Sequence, residues 1–298
     1  MGQPPACWSC PVIALKIYHK TVYCFRQPVS LWPHRLMLRP RENRDLRLMS
    51  HTLAITTAPV LTWAHDVFGN AVAMATFAAT TDMLVIESTA DILLNAAPWP
   101  VFDIAASAIS YPFRYSDDES TDLGALAIEQ YPDQAERLRI WARGFIRSNP
   151  TDTLSLLKDL SLGVAEWISY QSREVEGTQS PTQTLDRGWG SCRDFAVLFA
   201  EAARTLGFGA RIVSGYLYNP SQCSVGSSGS GSTHAWAEVY LPGAGWITFD
   251  PTNRSVGGVN LIPVAVGRDI RQIMPVVGSF VGMTDAFQGM SVEVEVSS

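Results

Sequence analysis

The chain has 298 residues, 47% of them hydrophobic, and a net charge of −6, which is room for one large domain or two ordinary ones and enough apolar content for a packed core. Residues 1–105 carry 8 Lys+Arg against 7 Asp+Glu, and the rest carries 14 against 21. The longer part is therefore acidic by 7, which argues against a nucleic-acid partner, and no run of 18 apolar residues exists to span a membrane.

Residues 1–16 have no basic run ahead of an apolar stretch and read as a disordered or mis-started N-terminus rather than a signal peptide. Ala6 breaks the myristoylation pattern. Cys7 and Cys10 have redox spacing but sit among Pro4, Pro5 and Pro11, outside any strand–helix–strand context. The five cysteines, at 7, 10, 24, 192 and 223, are odd in number and imply no disulfide framework; reduced thiols and a cytoplasmic location are expected. From Ile17 to about Asn95, short alternating runs separated by Gly, Pro and Asn predict a β-sandwich. Examples are Tyr18–Phe25, His51–Thr57 and Met83–Ala90, with a turn at Asp66-Val67-Phe68-Gly69-Asn70. The five arginines between Arg35 and Arg47 read as a solvated edge strand, where charge blocks unwanted pairing.

Residues 96–125 form an extended junction. Pro132-Asp133 predicts a helix running to about Arg147, and Asn149-Pro150-Thr151-Asp152 predicts a second reaching about Tyr170. Gly177–Pro181 reads as a loop. Phe195, Phe199, Ala202 and Leu206 fall on one face of a helix over Arg193–Leu206, stopped by Gly207 and Gly209. Strands follow at Ala210–Tyr218, Thr233–Leu241, Trp246–Asp250, Leu261–Val266 and Val292–Val296. Between the first two, Asn219–Ser232 reads as a mobile Ser/Gly-rich surface loop, either an inert spacer or a flap over a site. The domains so defined are 17–105 and 106–298.

Three side chains at the edges of these elements carry chemistry. Cys192, in Gly190-Ser191-Cys192-Arg193-Asp194, stands at the start of its helix, where unpaired N–H groups favour a thiolate. His234, in Thr233-His234-Ala235-Trp236-Ala237-Glu238, is the last histidine of the chain and the only one after His65, so any imidazole base in the second domain is this one. Asp250, before Pro251, ends the neighbouring strand of a hairpin and can orient that base. Buried thiol, structural histidine and turn aspartate are the plain alternatives for each alone; order and placement together favour a nucleophilic thiol with its base and orienter. Asp194 reads as a helix-start residue favouring the dipole. No HExxH, Walker or GxGxxG motif occurs, and no metal or cofactor is expected.

These segments, with Leu206-Gly207-Phe208-Gly209-Ala210-Arg211 and Trp246-Ile247-Thr248-Phe249-Asp250-Pro251-Thr252, resemble the transglutaminase-like superfamily. The similarity is to its bacterial branch, whose members are described as candidate cysteine proteases. Pro28-Val29-Ser30-Leu31-Trp32-Pro33 and Leu38-Arg39-Pro40-Arg41 resemble the N-terminal β domain of that branch. The resemblance implies an α+β fold: an N-terminal β-sandwich followed by a papain-like core. It implies Cys192 as nucleophile, His234 as general base and acid, and Asp250 as orienter, acting on a peptide or protein amide. Hydrolysis, glutamine–lysine crosslinking and a non-catalytic binding module all remain open at this point. No acid-rich loop suited to calcium is present. Trp189, Trp236 and Gln183 are candidate substrate-binding residues, with Gln183 a candidate second oxyanion donor.

Overall fold

A computed structural model describes residues 12–173, 177–221 and 231–298. Cys7, Cys10, Cys223 and most of the expected Asn219–Ser232 loop lie outside the described residues.

The N-terminal region is a sandwich of two antiparallel sheets. In one, Ile13–Leu31 lies between Thr80–Leu94, itself flanked by Leu46–Ile55, and the C-terminal strands Phe280–Val281 and Phe287–Ser297. In the other the order is Val276–Val277, His34–Leu36, Ala71–Thr76, Val60–His65. Period-two alternation turns Leu31, Leu36, Leu84 and Ile86 into a shared interior with Phe25, Val29 and Ala73.

The second region is α+β. A five-stranded antiparallel sheet has the order Ser255–Val256, Gly245–Asp250, Gly231–Leu241, Ala210–Tyr218, Leu261–Gly267. The helix Cys192–Thr205 packs on it and is surrounded by the helices Arg137–Arg143, Thr153–Trp167 and Pro181–Arg187. Eleven of its fourteen residues are buried, so its few charges need partners. Glu201 meets Arg204 at 2.5 Å and accepts the N–H of Gln130 at 2.7 Å, while Arg204 donates to the carbonyls of Ala210, Leu126 and Arg268. Gly207 follows at φ 89°, where a glycine can turn the chain out of the helix without steric cost.

One continuous core joins the two regions. Leu15, Ile17, Ala90 and Ile92 of the first sheet pack into the same cluster as Phe195, Phe199, Tyr216 and Ala237. His19 crosses this interface, with Nδ1 2.9 Å from Tyr216 Oη and Nε2 2.9 Å from Thr21 Oγ1.

The structure corrects several expectations. The chain does not divide cleanly at 105: residues 276–297 return to the N-terminal sheets, and Lys16 to Cys24 pair with Ser297 to Gly289. The first strand begins at Ile13, four residues before the expected start. Arg35–Arg47 is not an edge strand. Strand structure ends at Leu36 and resumes at Leu46, and two of its arginines are anchored on the second region: Arg35 donates to Gln272 O, and the Arg41 N–H to Pro263 O. Gln179–Gly190 contains an unforeseen helix, Pro181–Arg187, capped by Ser180.

Candidate active site

Cys192 is the first residue of its helix and is partly exposed. The turn that delivers it is tied down by Asp194, which has no exposed surface. Asp194 Oδ2 accepts the N–H and the hydroxyl of Ser191 at 2.8 and 2.9 Å. Its Oδ1 accepts the N–H of Gln179 at 2.7 Å and Arg173 Nη2 at 2.9 Å. One buried carboxylate thus joins three segments around the thiol. A Cβ on Gly190 would come within 2.9 Å of Asp194 Cβ, so this close approach requires glycine.

His234 lies where the hairpin opens. Ala237 opposite Phe249 is the last register pair between its two strands, because the chain turns away after Asp250. The N–H of Ala235 is thereby free of that neighbour, and it hydrogen-bonds the Cys192 thiol, as His234 does. Asp250 Oδ2 lies 2.9 Å from His234 Nε2, leaving Nδ1 for the thiol. Asp250 is held in turn by the N–H groups of Thr252 and Asn253 at 3.0 and 3.3 Å and by Asn253 Nδ2 at 2.8 Å.

The electrostatics follow from these contacts. Burial opposes charge on the imidazole, but the Asp250 carboxylate and the Cys192 thiolate outweigh it and push His234 up to about 10. Burial likewise opposes the thiolate, yet His234, the Ala235 N–H and Arg193 hold Cys192 below the ordinary thiol range. Asp250 is held low despite its burial by His234 and Asn253. These contacts favour a thiolate–imidazolium pair backed by a carboxylate. Such a centre can attack an electrophilic carbonyl and hand a proton to its leaving group.

The other expected site residues fare differently. Trp189 is partly exposed two residues beyond Arg187, whose guanidinium carbon lies 5.7 Å from its ring centre. Gln183 sits on an exposed face of the 181–187 helix, and its side-chain oxygen accepts the Ser180 N–H at 3.0 Å, so it serves the helix cap. Trp236 is 1% exposed and stacks behind His234 with ring centres 6.1 Å apart, which leaves no open indole face for a ligand. No cluster of His, Cys, Asp and Glu able to hold a metal exists among the described residues.

Sequence reasoning missed Tyr170, Arg173, Gln179 and Asn253. Tyr170 pairs with Gly190 in a short parallel ladder, and its ring meets Phe195 edge-on at 6.1 Å. Its phenol is pushed up to about 12 by burial and then by negative charge on Cys192 and Asp250. Asn253 carried a readable signal, since Asp-Pro-Thr-Asn is turn chemistry that folds a side chain back on its own backbone. Arg173 and Gln179 carried none, because their partner is fifteen or more residues away.

Comparison with known proteins agrees with this architecture. Residues 140–251 match the transglutaminase-like superfamily, and residues 15–92 match the bacterial transglutaminase-like N-terminal region. The chain thus carries a transglutaminase-like core preceded by a bacterial transglutaminase-like N-terminal region. It is 27% identical over 275 residues to an uncharacterized protein of Mycobacterium tuberculosis, covering 88% of this chain and 86% of that one. A shorter match, 33% over 125 residues, is to an uncharacterized protein of Mycobacterium leprae and covers 41% of this chain and 44% of that one. The fold is shared with a candidate cysteine protease from Cytophaga hutchinsonii at a TM-score of 0.73 and 20% identity, covering 97% of this chain and 92% of that one.

Proposed function

We propose that the protein is a thiol-dependent amide hydrolase or acyltransferase that works on a peptide or protein through a thioester at Cys192. The observation that carries this reading is the contiguous arrangement of Cys192, His234 and Asp250, with the His234–Asp250 bond at 2.9 Å. The Cys192 thiolate adds to the amide carbonyl carbon. The resulting oxyanion meets the backbone N–H of Cys192, and we assign the Tyr170 phenol as its second donor. The C–N bond then breaks, and the leaving amine takes its proton from imidazolium His234. Water or a second amine attacks the thioester while neutral His234 accepts its proton. The C–S bond breaks and the thiolate–imidazolium pair is restored. Asp250 keeps the ring in place and stabilises its charged form.

We favour hydrolysis over crosslinking because Cys192 is partly exposed, which admits water to the thioester. The test is to incubate the protein with a glutamine-containing peptide and a labelled amine and to separate acid from amide product. Acid product that depends on Cys192 is expected. Amine incorporation without acid would replace the hydrolase with a crosslinking transglutaminase. No product of either kind, with an unreactive Cys192, would leave a binding module on the same fold.

A further inference from the structure

We propose that the Asp66–Asn70 turn of the N-terminal β region is a positioning element for His234, pressing Phe68 against Trp236, which backs the imidazole. The inference rests on the role given to His234 above and assigns the N-terminal region a part in the chemistry.

The turn is built to hold one shape. Asp66 Oδ1 accepts the N–H groups of Phe68 and Asn70, both at 2.9 Å, and Oδ2 accepts Asn70 Nδ2 at 2.8 Å. Gly69 completes it at φ 72°. The turn is docked as firmly as it is built. Fully buried Asn70 imitates a neighbouring strand: its Nδ2 donates to Val266 O at 2.7 Å and its Oδ1 accepts the Val266 N–H at 2.9 Å. Arg41 donates to Phe68 O and Asn70 Oδ1, and its own N–H reaches Pro263 O. Val266 and Pro263 belong to the strand Leu261–Gly267, so the N-terminal region clamps the outer strand of the core sheet.

This clamp seats Phe68 on a small cluster of Val213, Leu217, Leu261, Val266 and Trp236. Trp236 Nε1 is buried without a hydrogen-bond partner among the described residues, so packing alone orients the indole. Packing leaves it little freedom: a Cβ on Gly215 would lie 2.8 Å from its ring, and Gly215 is the cross-strand partner of His234. The imidazole therefore has Cys192 and Asp250 at its nitrogens and Trp236 stacked along its plane. The titratable groups acting on His234 are Cys192 and Asp250, and Arg193 acts on Cys192. None belongs to the N-terminal region, so an uncharged substitution at Phe68 can change the pair only through geometry.

The test compares Phe68→Ala with Leu84→Ala in the full-length protein. Leu84 is buried in the sandwich's own interior and is not part of the Trp236 cluster. Both should lower thermal stability. The separating readout is the pH dependence of Cys192 alkylation by iodoacetamide. Phe68→Ala should raise the midpoint by about half a unit or more and slow the plateau rate roughly threefold, as a displaced imidazole holds the thiolate less well. Leu84→Ala should leave both unchanged, and Phe68→Leu should restore them. If Phe68→Ala does not fold, Phe68→Val makes the same comparison. A wild-type profile in every folded Phe68 variant would overturn the inference while leaving the role of His234 intact. A wild-type midpoint at the ordinary thiol value would instead remove the His234 reading and this inference with it.

Discussion

At the residue scale, the site's chemistry depends on neighbours that differ in kind. Burial works against a Cys192 thiolate, while His234 and the Ala235 N–H favour it. Burial works against a cationic His234, while Asp250 and Cys192 favour it. Burial and the same negative charges push Tyr170 up to about 12, so its phenol keeps a proton to donate at neutral pH. Replacing Tyr170 by Phe should lower kcat on an amide substrate by about a hundredfold, the usual cost of losing one oxyanion donor. The midpoint for Cys192 alkylation should not move, because the phenol is absent from the groups that set the thiol. An unchanged kcat would remove Tyr170 from the oxyanion site. Cys192, His234 and Asp250 were legible in the sequence because each stands at an element edge with a recognisable local pattern. Tyr170 was not, because the short ladder that brings it to Gly190 has no local signature.

At the scale of elements, legibility followed local periodicity. The helix predicted at Arg193–Leu206 is found at Cys192–Thr205, and the strand predicted at Ala210–Tyr218 is found there. The helix read from Pro132-Asp133 instead begins at Arg137. The capping signal was real but acts at a distance: Asp133 accepts the N–H groups of Arg137, Leu138 and Arg139 across an intervening turn. In Arg35–Arg47 charge suggests solvent, whereas the Arg35 guanidinium reaches Gln272 O and the Arg41 N–H reaches Pro263 O across the interface. Asp194 ties the nucleophile's turn to Arg173 and Gln179, and it should be the most sensitive position of that element. Asp194→Asn keeps the shape, but it removes the countercharge of Arg173 and turns an amide N–H₂ toward existing donors. Urea unfolding should show a loss of about 3–5 kcal/mol, the cost of leaving one member of a buried ion pair alone. A loss below about 1 kcal/mol would show that the network does not hold the turn.

At the scale of the whole molecule, the two regions share one core and a returning C-terminal strand, and this was the least legible level. The strand expected at Val292–Val296 exists, but its partner is Ile13–Leu31 and not the core sheet. Nothing in an alternating run names a partner some 270 residues away. The interface also carries a pH dependence. His19 is lowered to about 4 by burial between the regions, so the folded state holds it neutral. Its contribution to stability is complete above the unfolded value of about 6.5 and is lost as pH falls from there toward 4. Across that window it should cost about 1.4 kcal/mol per pH unit, and His19→Gln should flatten that part of a stability-against-pH curve measured by urea unfolding. Equal slopes in both proteins would mean that His19 does not couple docking to pH.

Whether His234 makes Cys192 a nucleophile is read from the rate of Cys192 alkylation across pH, with and without His234→Ala. Cys24 is the other free cysteine among the described residues, so the modified site should be read by peptide mass. Wild-type Cys192 should alkylate fast, with a midpoint well below about 8.5, the value of an ordinary thiol, and His234→Ala should move the midpoint up to or beyond that value. A wild-type midpoint near 8.5 that the substitution leaves in place would contradict that role of His234.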